Sequence, residues 1–126
     1  MVQRQTILII DPDAELSKLL GSYLSLYGYR VHYANRVNES VAKLNNQKYT
    51  CVLLEPDLLP ERGEAIIRAT MTNGHMNQRT PFVLMTASLE YGVPRDVLAT
   101  IRGVVPKPFE LGEIGGAVQA ALQTSA

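Results

Sequence analysis

Thr6-Ile7-Leu8-Ile9-Ile10-Asp11-Pro12-Asp13 sets the pattern for the chain: an unbroken apolar, β-branched run ended sharply by an acid and a proline. A strand with one wet face alternates apolar and polar residues. An unbroken run marks a strand covered on both faces, the habit of parallel sheets in α/β proteins. The motif recurs downstream. Cys51-Val52-Leu53-Leu54 stops at Glu55, Phe82-Val83-Leu84-Met85 stops at Thr86, and the shorter Val104-Val105 leads into Pro106-Lys107-Pro108-Phe109.

Helical patterns fill the gaps. Leu16, Leu19, Leu20, Tyr23, Leu24 and Tyr27 recur at helical spacing, with Asp13 placed to cap the start and Gly28 to stop it. Tyr29 to Ala34 alternates, which predicts an edge strand with one wetter face and His32 on its surface. Val37, Val41 and Leu44 mark a second helix; Gly63 opens a third through Ile66, Ile67 and Thr70, after a loop at Pro56 to Arg62. Thr72 to Thr80 is polar and turn-like, with His75 solvated rather than a metal ligand. A fourth helix over roughly Ser88 to Ile101 contains Gly92 and Pro94, so it starts late or bends. Leu111, Ile114, Val118 and Leu122 give the last helix one apolar stripe.

Five β–α units in sequence predict right-handed crossovers and a doubly wound, flavodoxin-like parallel sheet, in the order 2-1-3-4-5 with the alternating strand outermost. At 126 residues, 46% hydrophobic and 19% charged, the chain fits one domain, residues 1–126, with an ordinary core. Its formal net charge of zero points away from nucleic acid and acidic membranes. One cysteine, Cys51, leaves no internal disulfide and lies in an apolar run that predicts a buried, inert thiol. Met1 to Thr6 holds no signal-peptide-like stretch and no segment approaches membrane-spanning length, so a cytoplasmic location is expected.

In an open parallel sheet the carboxyl ends of the strands converge on one crevice. That brings Asp11, Glu55, Thr86 and Lys107 together. Two carboxylates, a hydroxyl and an ammonium are suited to a divalent cation and a phosphoryl group.

With these residues in order, the chain resembles the receiver domain of two-component response regulators over nearly its whole length. The resemblance rests on Ile7–Asp13, Val52–Glu55, Gly63 eight residues after Glu55, Val83–Ala87 and Lys107-Pro108-Phe109. It implies a phosphorelay signalling domain rather than an enzyme, with a phosphoacceptor at Glu55 and anion contacts from Thr86 and Lys107. It also implies a cis Lys107–Pro108 bond. A Mg²⁺ site would draw on Asp11, Asp13, Glu55 and the backbone carbonyl of Asp57.

The departures weaken that chemistry. Glu55 stands where the family has aspartate, and its extra methylene pushes the carboxylate to where a phosphoryl group would lie. A displacement on the order of 1 Å costs roughly a hundredfold in rate. Pro56 removes a backbone donor of a kind worth about 3 kcal/mol in other enzymes. Pro12 replaces the second acid of the first loop, with Asp13 explained as a helix cap. Val104 stands where the family often has an aromatic.

The expectation is therefore a pseudo-receiver: a phosphorylation-independent protein-interaction module with weak or no Mg²⁺ binding. The alternative is a working receiver phosphorylated by a histidine kinase at Glu55 or Asp57. A flavodoxin-type cofactor site lacks the glycine-rich loop it needs after the first strand. The expected partner is a histidine kinase or a downstream signalling protein. The small residues Gly112, Gly115, Gly116, Ala117, Ala120 and Ala121 suggest a homodimer through the last helix. Gln123-Thr124-Ser125-Ala126 follows that helix with no output domain in view.

Overall fold

A computed structural model describes residues 5–58, 60–88 and 93–123. In chain order the elements are β1 (Thr6–Ile10), α1 (Ala14–Ser25), β2 (Arg30–Ala34), α2 (Val37–Asn46) and β3 (Cys51–Leu54). They continue with β4 (Asp57–Leu58), β5 (Glu61–Arg62), α3 (Glu64–Thr70), β6 (Phe82–Thr86), α4 (Arg95–Leu98), β7 (Gly103–Pro106) and α5 (Leu111–Gln123). Five strands form one sheet in the order β2-β1-β3-β6-β7, and every pair in it is parallel. Counting only these five, the order is the doubly wound 2-1-3-4-5.

The unbroken apolar runs are explained by what covers them. Every residue of β1, β3 and β6 is buried. Because alternate side chains point to opposite faces, Leu8, Ile10, Val52, Leu54 and Leu84 join one cluster with Leu44, Ile66, Ile67 and Val97 from α2, α3 and α4. Ile7, Ile9, Leu53, Val83 and Met85 join the other, with Leu20, Leu24, Ile114 and Val118 from α1 and α5. Cys51 belongs to this second cluster, and burial pushes its thiol pKa up to about 12, which leaves it unreactive.

Several local expectations change. Leu19 matches the helical spacing of α1 yet is 53% exposed, because the helix packs on Ser17, Leu20, Gly21 and Leu24; Tyr27, 65% exposed, lies past the helix end at Ser25. The span from Pro56 to Arg62 is more than a loop: Asp57 pairs with Arg62 and Leu58 with Glu61 in an antiparallel ribbon, with Leu58 buried in the core. The fourth helix starts late, as expected from Pro94, which is its N-cap and lacks the N–H that an earlier start would need; it is also shorter than expected, Arg95–Leu98. Gly92 lies outside the described residues, as do Met1 to Arg4 and Thr124 to Ala126.

His32 is half-buried, and its Nδ1 lies 2.9 Å from the Tyr49 hydroxyl. His75 is also half-buried: its Nε2 lies 2.7 Å from Asn45 Oδ1, and its Nδ1 accepts the Asn77 N–H at 2.9 Å. Both histidines were expected in solvent; each is instead held by a partner from a distant part of the chain. On α5, a Cβ at Gly115 would collide with the Tyr23 ring of α1, whereas Gly112 and Gly116 face open space. Part of the small-residue face is thus filled from within the chain.

Candidate functional site

β1, β3 and β7 each deliver a polar residue by continuing the ladder one step past the strand. The Asp11 N–H donates to Ala34 O at 3.1 Å and the Glu55 N–H to Ile10 O at 2.9 Å. The Lys107 N–H donates to Thr86 O at 3.0 Å. These bonds set the origin of three long side chains at one level above the sheet.

The side chains meet at the Lys107 ammonium. Nζ donates to Asp11 Oδ2 at 2.7 Å and to Glu55 Oε1 at 2.9 Å. The two carboxylate side chains are 1% and 9% exposed against 21% for the lysine, so the pairs are shielded from screening. Burial opposes the ammonium's charge, but the hydrogen bonds it donates to Asp11 and Glu55 outweigh it and hold the Lys107 pKa above its ordinary 10.5.

The remaining carboxylate oxygens are also engaged. Asp11 Oδ1 accepts the Asp13 N–H at 2.9 Å, and Glu55 Oε2 accepts the Asp57 N–H at 3.1 Å. Glu55 therefore reaches past Pro56, which has no N–H, to the next available donor. Gly63 makes this turn possible: its N–H donates to Pro56 O at 2.7 Å, and a Cβ on it would lie 2.8 Å from Pro56 Cα. The spacing of eight residues between Glu55 and Gly63 thus has a steric cause.

The other expected residues sit at the margin. Asp13 caps α1, its Oδ1 accepting the Leu16 N–H at 3.1 Å. Asp57 is exposed on β4. Thr86 is buried at the end of β6, and its Oγ1 accepts the Ser88 N–H at 3.0 Å. The Lys107–Pro108 bond is cis. Beside Lys107, Leu16, Ala87, Pro108 and Phe109 line a cavity of about 350 Å³, which sequence reading did not reveal.

A divalent cation such as Mg²⁺ does not fit the set as arranged. The Lys107 ammonium already draws one oxygen from each of Asp11 and Glu55, and the Asp13 carboxylate is turned to the helix. Among the described residues no group of three or more His, Cys, Asp or Glu is placed to hold a metal. A hard cation that wants about six oxygens would have to displace Lys107 first.

No family model matches the chain. Among curated proteins, the transcriptional regulatory protein CpxR homolog of Haemophilus influenzae is 33% identical over 123 residues, covering 95% of this chain and 51% of that protein. The regulatory protein AtoC of Escherichia coli is 31% identical over 118 residues, covering 93% of this chain and 25% of AtoC. The chain thus spans about half the length of the first relative and a quarter of the second.

Among solved structures, the receiver domain of a sensor histidine kinase from Pseudomonas aeruginosa superposes with a TM-score of 0.82 at 21% identity, covering 97% of this chain and all of that one; it carries a magnesium ion in its active-site cleft. A CheY-like response regulator receiver domain protein from Methanospirillum hungatei superposes with a TM-score of 0.81 at 18% identity, covering 98% and 97% of the two chains.

Proposed function

We propose that this chain, a response regulator receiver domain of the CheY-like kind, works as a protein-interaction module that needs no phosphorylation. The carrying observation is the Lys107 ammonium held between Asp11 Oδ2 and Glu55 Oε1. A glutamate carboxylate reaches further from the backbone than an aspartate would. It gives Lys107 the anion that a phosphoryl group would otherwise supply, so one arrangement of the strand ends is favoured without a modification. The chain's own residues bind and orient here; the reading gives them no turnover, and it makes Mg²⁺ binding weak.

The intended partner is a protein: a histidine kinase or a downstream component of the same signalling system. A second copy of this chain, meeting the open surface at Gly112 and Gly116, is the subsidiary form of the proposal. Sedimentation of Gly116→Leu tests it, and a molecular mass unchanged from the parent removes the helix from consideration.

Phosphorylation at Glu55 or Asp57 is the competing reading. Asp57 has an exposed side chain and lends its N–H to Glu55, which makes it part of the carboxylate's support. Incubating the chain with Mg²⁺ and acetyl phosphate, followed by intact-mass analysis and hydroxylamine treatment, decides between the two. The expected result is an unmodified mass. A hydroxylamine-labile adduct in substantial yield overturns the proposal and identifies the acceptor.

A further inference from the structure

Beside Asp11, the ends of β1 and β2 and the first turns of α1 and α2 border an open cavity of about 260 Å³. Its lining is mostly apolar, with Pro12, Ala34 and the ring of Tyr33 among the walls. Small-molecule sites typically have this make-up, a concave apolar body with a few polar groups, and a volume near or below ~300 Å³ suits a ligand smaller than a drug.

Two features indicate that the cavity is built rather than left over. Gly21 lies in the interior of α1, where glycine is less favourable than alanine. A Cβ there would run into the Tyr33 hydroxyl, so the glycine makes a seat that fixes the tyrosine as a wall. One helical turn earlier, Ser17 also lines the cavity. It is 5% exposed, and its Oγ has no hydrogen-bond partner among the described residues. A buried hydroxyl without a partner is destabilising, and rotation about χ1 redirects it toward whatever fills the space.

Three charged residues line the cavity, and one of them, Asp11, is already paired with Lys107. Lys18 on α1 and Glu39 on α2 both line the cavity, and the two do not pair with each other or with any other charged group among the described residues. Glu39 Oε1 accepts the Asn35 N–H at 3.0 Å, which holds the carboxylate at the rim. An apolar chamber with a cation on one side of its mouth and an anion on the other complements a small zwitterion with an apolar body.

We propose that this cavity binds a free α-amino acid with an apolar side chain. Its carboxylate faces Lys18, its ammonium faces Glu39, and its side chain lies against Tyr33 over Ser17. The inference does not depend on whether Glu55 is phosphorylated, although Asp11 borders both this cavity and the Lys107 group.

The test is an amide ¹H–¹⁵N NMR titration of the intact chain with L-leucine, N-acetyl-L-leucine and L-leucinamide. Leucine is expected to give saturable shifts centred on Ser17, Lys18, Ala34 and Asn35. Each derivative lacks one of the two charges and is expected to bind about two- to fivefold more weakly. Ser17→Leu fills the chamber and abolishes saturable shifts. Lys18→Glu, an exposed change that leaves the core intact, weakens leucine binding by a similar factor or more. Absence of saturable shifts in the parent, equal affinity for all three compounds, or unchanged binding in Lys18→Glu overturns the proposal.

Discussion

The two ends of the sheet bury polar groups in opposite ways. At the carboxyl ends, Lys107 faces two carboxylates. At the amino ends, Asn77 is fully buried and forms a neutral knot. Its Oδ1 accepts the Tyr49 N–H at 2.9 Å and the Thr80 hydroxyl at 2.8 Å, and its Nδ2 donates to Leu44 O at 2.7 Å and Gln47 O at 2.8 Å. An asparagine side chain has two donors and two acceptor sites, so this one is fully used. Nothing is left over to bind a ligand, and the knot's work is to fasten the entry to β3. The charged end has two acids around one ammonium, with the lysine still partly open to solvent. A saturated neutral network serves stability, whereas a charged one with spare hydrogen-bonding capacity can respond to a partner.

That contrast ranks the expected effects of substitution. Asn77→Leu should cost the most, about 3–5 kcal/mol, since it strands the Tyr49 N–H and the carbonyls of Leu44 and Gln47. Urea denaturation measures it, and a loss under ~1 kcal/mol would mean the knot holds little.

Lys107→Met should follow at about 2–3 kcal/mol, because two buried acids are left facing each other, discounted for the partial exposure of the lysine. Its pH signature separates it from a packing defect. The Lys107 pKa is raised in the folded state, so its contribution is fully present below the unfolded value, near 10.5, and is lost as pH rises through the higher folded value. The parent should therefore lose stability relative to Lys107→Met above about pH 10.5, narrowing the gap between them. A gap constant through that range would show that the ammonium's charge is not the cause.

Gly63→Ala should cost about 1–3 kcal/mol, since its Cβ meets backbone atoms of Pro56 that cannot rotate away. Thermal unfolding detects this; a neutral result would show that the turn after Glu55 relaxes freely. Glu55→Gln is the mildest, about 1 kcal/mol, because the amide keeps the shape and one acceptor while losing the charge-assisted bond to Lys107. A cost above that of Lys107→Met would reverse the assignment of the lysine as the centre of the group.

Much of this was legible in the chain. Unbroken runs ending at Asp11, Glu55 and Thr86 encode the sheet because both faces of each strand must be apolar. The spacing of Gly63 from Glu55 encodes the turn. What sequence reading missed depends on contacts between distant segments. Asn77 sits in a polar stretch that looks like a turn, and its partners lie about thirty residues upstream. Leu19 shares a period with Leu20 and Leu24, but only the packing of the helix decides which side of that stripe faces inward. Convergence of Asp11, Glu55 and Lys107 could be read from topology. That Thr86 Oγ1 would turn to the Ser88 N–H, leaving Lys107 to the acids, could not.

The Lys107 ammonium also has a mechanical consequence. Its side chain leaves β7, passes the end of β6, and is anchored on β3 and on β1. It acts as a strap across four adjacent strands at the edge where a twisted sheet would otherwise fan open. The bond to Asp11 ties the start of the turn at Pro108 to the first loop, 96 residues away in sequence, without passing through the hydrophobic layers between them.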